Sequence, residues 1–136
     1  MKPRKKSGAP TEPATPPLHE LESEVMEELW TSGESSVRAV MDALNERASK
    51  PRAYTTYMTI MARLHKKGVL DRRRDGKTDF YAPVLDRDGF MASRAHAEVE
   101  GLVAEYGDVA LSHFARQVAS LDPARRRALQ RLARKI

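Results

Sequence analysis

From Leu18 onward the apolar residues Leu18, Leu21, Val25, Met26, Leu29 and Trp30 recur three and four apart, with glutamates between them. That spacing gathers the apolar set on one stripe of an α-helix and predicts the glutamates on the other face. The helix is expected to end before Ser32-Gly33. Ser35 and Ser36 then offer N-cap hydroxyls to a second helix, in which Val37, Val40, Met41 and Leu44 follow the i, i+3, i+4, i+7 rule. It fades near Arg47, because Lys50 precedes Pro51 and is biased towards extended backbone. Residues 55–67 (TTYMTIMARLHKK) place Tyr57, Ile60, Met61 and Leu64 on one helical face. Thr55, Met58, Thr59, Ala62 and Lys66 fall opposite, with Thr56 and Arg63 on the flanks.

Gly68 suits the position just past this third helix, after Lys66 and Lys67 in its last turn. Val69–Arg74 and Thr78–Ala82 then flank Asp75-Gly76-Lys77, and an Asp-Gly between β-capable runs signals a hairpin. Its tip carries Arg72, Arg73, Arg74 and Lys77. Beyond Pro83 the pattern is helical again, through Phe90, Val99, Leu102, Val103 and Tyr106, then Val109, Phe114 and Val118 after Gly107. A last helix follows Asp122 as N-cap and Pro123 as first residue. The expected fold class is mainly α with a small β-hairpin wing: a winged helix-turn-helix at residues 18–84 and a helical region at 85–136. The stripes holding Leu102, Val103, Tyr106, Phe114, Leu129 and Leu132 exceed what so short a region buries alone, which predicts dimerisation with a second copy.

Charge sharpens this reading. The chain of 136 residues has a net charge of only +5. Residues 18–46 nevertheless carry one base, Arg38, against eight acids, whereas residues 47–77 carry ten bases against Asp71 and Asp75. Such a basic stretch is the footprint of a surface that faces phosphates, with a solvated basic face as the alternative. Residues 1–17 hold five of the eight prolines and almost no apolar side chain, and are expected to be a disordered basic tail.

A helix entering the major groove needs short side chains at its leading end, and Thr55, Thr56 and Thr59 meet that demand. Their hydroxyls can bond base edges or phosphates, and their methyls can pack on thymine. Arg52, Arg63 and Lys66 would fix the backbone register, and Arg72, Arg73, Arg74 and Lys77 would let the wing reach phosphate. Successive strand residues alternate in direction, so at most two of the three arginines share a face, and one can pair with Asp71 or Asp75 instead. Winged helices also serve as protein-interaction modules, and a ligand-responsive regulator is a further alternative.

Other chemistries find no support in the chain. It has no cysteine, which excludes disulfides and thiolate chemistry and suits a reducing cytoplasm. His19, His65, His96 and His113 lie in separate segments, giving no metal-ligand spacing. No glycine-rich phosphate loop, activated nucleophile or catalytic carboxylate pair is found, so neither an enzyme nor a cofactor is expected. No apolar run approaches the roughly 20 residues that span a bilayer, and no signal-peptide stretch follows the basic start.

The segments LHELESEVMEELW (18–30), SVRAVMDALNE (36–46) and AYTTYMTIMARLHKKGVLDRRRDGKTDFYAPV (53–84) resemble the BlaI/MecI/CopY family of penicillinase-type repressors. The likeness is strongest at AYTT, MTI, ARL and KKG. It implies a winged-helix domain, a helical dimerisation region, and dyad operators with TACA/TGTA-like half-sites. Genes for antibiotic resistance or other stress responses are the implied targets. The recognition helix would then fall on Thr55, Thr56, Met58 and Thr59 with Arg63 further along, and the wing on residues 72–80. Tyr57 replaces a smaller aliphatic residue usual there, and His19 stands where a hydroxyl N-cap is common. Copper-responsive members carry C-terminal cysteine pairs, absent here. In the penicillinase branch a membrane sensor metallopeptidase triggers cleavage at an Asn-Phe bond, and the aligned pair here is His113-Phe114.

Overall fold

The computed structural model describes residues 18–135. The expected tail at 1–17 lies outside the described residues. Within them the chain runs α1 (Glu20–Ser32), β1 (Ser35–Ser36), α2 (Val37–Arg47), α3 (Tyr54–Lys66), β2 (Leu70–Asp75), β3 (Thr78–Pro83), α4 (Arg87–Tyr106), α5 (Asp108–Ala119) and α6 (Pro123–Lys135). It divides into two compact units between Ala95 and His96, within α4.

The first unit is a winged helix. The period-3.6 stripes expected from the sequence converge in one core: Val25, Met26 and Leu29 of α1, Val37, Val40 and Leu44 of α2, and Tyr57, Met61 and Leu64 of α3. Val69, Leu70, Tyr81 and Phe90 close it from the hairpin and the start of α4. Ser36 caps α2 as expected, its hydroxyl accepting from the Ala39 amide at 3.1 Å. Gly68 ends α3 with φ 85°, a left-handed value that glycine adopts without strain.

The hairpin pairs β2 with β3 from Leu70↔Pro83 to Asp75↔Thr78, leaving Gly76-Lys77 as its two-residue loop. Gly76 takes φ 65°, as such tight loops require. The sequence gives no sign of β1, which adds Ser35 and Ser36 to the free edge of β3 opposite Tyr81 and Phe80. Two serines carry no alternation to read. Trp30 fastens the start of α4: its indole N–H donates to the Leu85 carbonyl at 3.0 Å, and its ring meets Phe90 at 5.4 Å.

In the second unit Asp122 caps α6 as expected, accepting from the Arg125 amide at 2.8 Å. Gly107, with φ 59°, separates α4 from α5. Ala110 is the one buried hydrophobic residue described there. Leu102, Tyr106, Phe114, Leu129 and Leu132 stand between 37% and 59% exposed.

Candidate nucleic-acid interface

Helix α3 turns two unlike faces to its surroundings. Tyr57, Met61 and Leu64 are fully buried, while Thr55, Met58, Thr59, Ala62, Arg63 and Lys66 are exposed and Thr56 is half-buried. The exposed face is short at its leading end and basic towards its close, as duplex entry demands. Ser36-capped α2 supports α3 from behind through the shared core.

The leading end of α3 is held by a hydrogen-bonded staple. Tyr57 donates its hydroxyl to Asn45 Oδ1 at 2.8 Å. The same amide group brackets Arg52, accepting from its backbone N–H at 3.0 Å and donating to its carbonyl at 2.9 Å. One side chain of α2 thereby satisfies the loop before α3 and the phenol within the core. The larger residue at 57 is thus seated rather than tolerated. Asn45 escaped the sequence reading because its partners are seven and twelve residues away. Arg52 itself is exposed, with its guanidinium 3.6 Å from Glu24.

On the wing the alternation of the strand separates Arg73 from Arg72 and Arg74. Arg73 forms a two-pronged ion pair with Glu34, both N–H···O distances being 3.0 Å, and lies 5.0 Å from the Phe80 ring centre. Its hydrogen bond to Glu34 raises the guanidinium pKa further and, from the other side, holds the Glu34 carboxyl below its usual range. The partner foreseen for a paired arginine was Asp71 or Asp75. Asp75 does stand 3.8 Å away, but the close bonds go to Glu34, which only the folded topology brings near. Arg74 reaches Asp79 at 3.5 Å. Arg72 and Lys77 are exposed, with no ion pair among the described residues.

A concavity of about 450 Å³ runs between α3 and the wing, lined by Arg38, Tyr54, Met58, Lys77, Thr78 and Asp79 among others. Arg38 packs its guanidinium carbon 5.7 Å from the Tyr54 ring centre. Neither residue was assigned to the interface from the sequence alone. A second concavity, between α1 and α2, is lined by Glu20, Glu24 and Glu27 together with Arg47.

One expectation fails. The glutamates of α1 do not all face outward: Glu22 is fully buried. Its carboxylate accepts from Lys67 Nζ at 2.9 Å on each oxygen, and from the His19 amide at 2.9 Å. Burial pushes the Glu22 carboxyl up, but the His19 and Lys67 bonds and charges outweigh it and hold it below the usual carboxylate range. The pair ties the start of α1 to the end of α3, where the wing begins. His19, the N-cap, thus starts α1 through its backbone and Glu22.

Both residues of the aligned His113-Phe114 bond are exposed and lie within α5. No group of three or more potential metal ligands occurs among the described residues. No helix among them is long and apolar enough to cross a membrane.

The penicillinase repressor family model matches residues 18–135. The chain is 39% identical over 122 residues to the transcriptional regulator BlaI of Mycobacterium tuberculosis, covering 85% of this chain and 84% of that protein. It is 26% identical over 83 residues to the penicillinase repressor of Bacillus licheniformis, covering 60% and 62%. Among solved structures it is similar to the Bacillus licheniformis BlaI monomeric form in complex with the blaP half-operator, at 27% identity and TM-score 0.46, covering 54% of this chain and 88% of that one.

Proposed function

The chain belongs to the penicillinase repressor family, and we propose that it represses transcription as a homodimer that reads a palindromic operator, one half-site per winged helix. It is a DNA-binding transcriptional repressor, not an enzyme. The observation that carries the finer reading is the face of α3. Thr55, Thr56, Met58 and Thr59 are the base-reading set, with Arg52, Arg63 and Lys66 on the phosphates at either side. On the wing Arg72 and Lys77 take phosphate, Arg74 holds Asp79, and Arg73, bound to Glu34, braces the hairpin against the segment ahead of α2.

The dimer reading is supported by the apolar stripes of α4, α5 and α6, with exposed Leu102, Tyr106, Phe114, Leu129 and Leu132 and half-buried Val103 covered by the second copy. The protein acts in the cytoplasm, and the aligned His113-Phe114 bond is a candidate cleavage site for a membrane sensor metallopeptidase pathway; the alternatives are a helical polar residue beside a packing aromatic, with release by a ligand. A helical bond must open locally to enter a protease, so cleavage draws on fraying of α5. The test is a mobility-shift titration of the full chain with a duplex carrying inverted TACA and TGTA half-sites, at rising salt. Affinity should fall linearly on a log–log plot with a slope set by the phosphates neutralised. Equal affinity for a scrambled duplex, or a flat salt dependence, would contradict the reading.

A further inference from the structure

Arg38 stands where local preference argues against a cation. It is the second residue of α2, next to the positive end of the helix dipole, and the first turn of α2 has no acid to offset it. It is also the sole base of residues 18–46. Among the described residues no carboxylate holds it; its partner is the ring of Tyr54, the first residue of α3, itself 41% exposed. The guanidinium carbon lies over the ring, 5.7 Å from its centre, while its N–H groups remain available.

The surroundings say what those groups face. Arg38 and Tyr54 line the same concavity as Met58 of the exposed α3 face and Lys77 of the hairpin loop. Asp79, the acid of that lining, is engaged by Arg74. The concavity is thus bounded by the base-reading helix and by the wing, with two cations free of acidic partners.

We propose that Arg38, held over the Tyr54 ring, is a further DNA-contacting residue that binds a backbone phosphate of the strand lying between α3 and the wing. The site takes a phosphodiester rather than a base edge, because Arg38 lies on α2, off the helix that enters the groove. This rests on the placement of α3 in the major groove. Guanidinium is suited to the task, since it can rest over an aromatic ring and donate two bonds to phosphate oxygens together.

The experiment follows fluorescence anisotropy of the full chain on the TACA/TGTA duplex and on a scrambled duplex, from 50 to 300 mM salt. Arg38→Ala should weaken both duplexes about tenfold and reduce the salt slope by about one. Arg38→Lys should keep the slope, as a point charge remains. Tyr54→Leu should weaken binding while keeping the slope. The melting temperature of Arg38→Ala should not fall, because a cation leaves the wrong end of a dipole; if it does fall, Arg38→Gln decides by the same readouts. Unchanged affinity and slope in Arg38→Ala, with affinity and slope reduced in Arg63→Ala, would overturn this proposal and leave the α3 reading standing. Loss confined to the TACA/TGTA duplex would overturn the phosphate assignment. If the unaltered chain shows no salt-dependent binding, both readings fall together.

Discussion

Replacing Lys67 by methionine removes one half of a buried ion pair while keeping the aliphatic stem. Glu22 has 1% of its side chain exposed and Lys67 25%, with both carboxylate oxygens 2.9 Å from the ammonium. Without the lysine, the carboxylate keeps only the His19 amide. Breaking a buried pair from one side costs about 3–5 kcal/mol, and the partly wet lysine places this case near the lower end, about 3 kcal/mol. For a unit of this size that lowers the melting temperature by roughly 12–24 °C. The pH dependence follows from the lowered Glu22 pKa. Its stabilisation is complete above the ordinary value of 4.5 and is lost as pH falls through the lower folded value. In Lys67→Met burial raises the carboxyl above 4.5, so the gap between the two proteins should begin to narrow above pH 4.5 as the variant's carboxyl protonates, and go on narrowing below it as the wild-type stabilisation is lost. Urea unfolding followed by circular dichroism at pH 7 and pH 4 measures both quantities. The double variant Glu22→Gln with Lys67→Met should recover much of the loss, because no unpaired charge stays buried. A loss under about 1 kcal/mol at pH 7, or a gap that is constant in acid, would refute the pair's assigned role.

Thr59→Ala and Thr56→Ala should change which operator variant is preferred, by roughly 1–3 kcal/mol at one base pair, whereas Lys77→Ala should weaken every duplex alike. Competition binding against single-base operator variants distinguishes the two patterns, and equal relaxation by all three changes would contradict the division of roles. Leu132→Asp, which puts a charge on an exposed apolar stripe, should turn a dimer into a monomer in sedimentation at micromolar concentration; a wild-type monomer would contradict the dimer reading. A chain ending at residue 113 should lose about 10²- to 10⁴-fold in affinity for the full operator, the advantage of linking two sites. Its retention of full affinity would argue against release by cutting there.

The helices and hairpin were legible because their signals are local. Val37, Val40 and Leu44 repeat at helical spacing, and Asp75-Gly76 lies between β-capable runs, so period and turn chemistry sufficed. The exposed face of α3 followed from the same periodicity, since burying Tyr57, Met61 and Leu64 leaves Thr55 and Thr59 outside. What escaped depends on partners distant in sequence. Glu22 looks like any surface glutamate until Lys67, 45 residues on, is brought beneath it. Arg73 finds Glu34, 39 residues back, because β1 delivers that segment to the edge of β3. Arg38 looked like an isolated base in an acidic stretch until Tyr54 and Lys77 were placed beside it. Periodicity assigns a residue to a face, whereas the fold alone decides which faces meet.

Hydroxyl-radical footprinting of the full chain on its genomic binding site tests the central claim most directly. A homodimer reading with α3 should protect two patches related by two-fold symmetry, centred one helical turn, about 10–10.5 base pairs, or a multiple of it apart. A single asymmetric patch, or protection that does not depend on sequence, would contradict it.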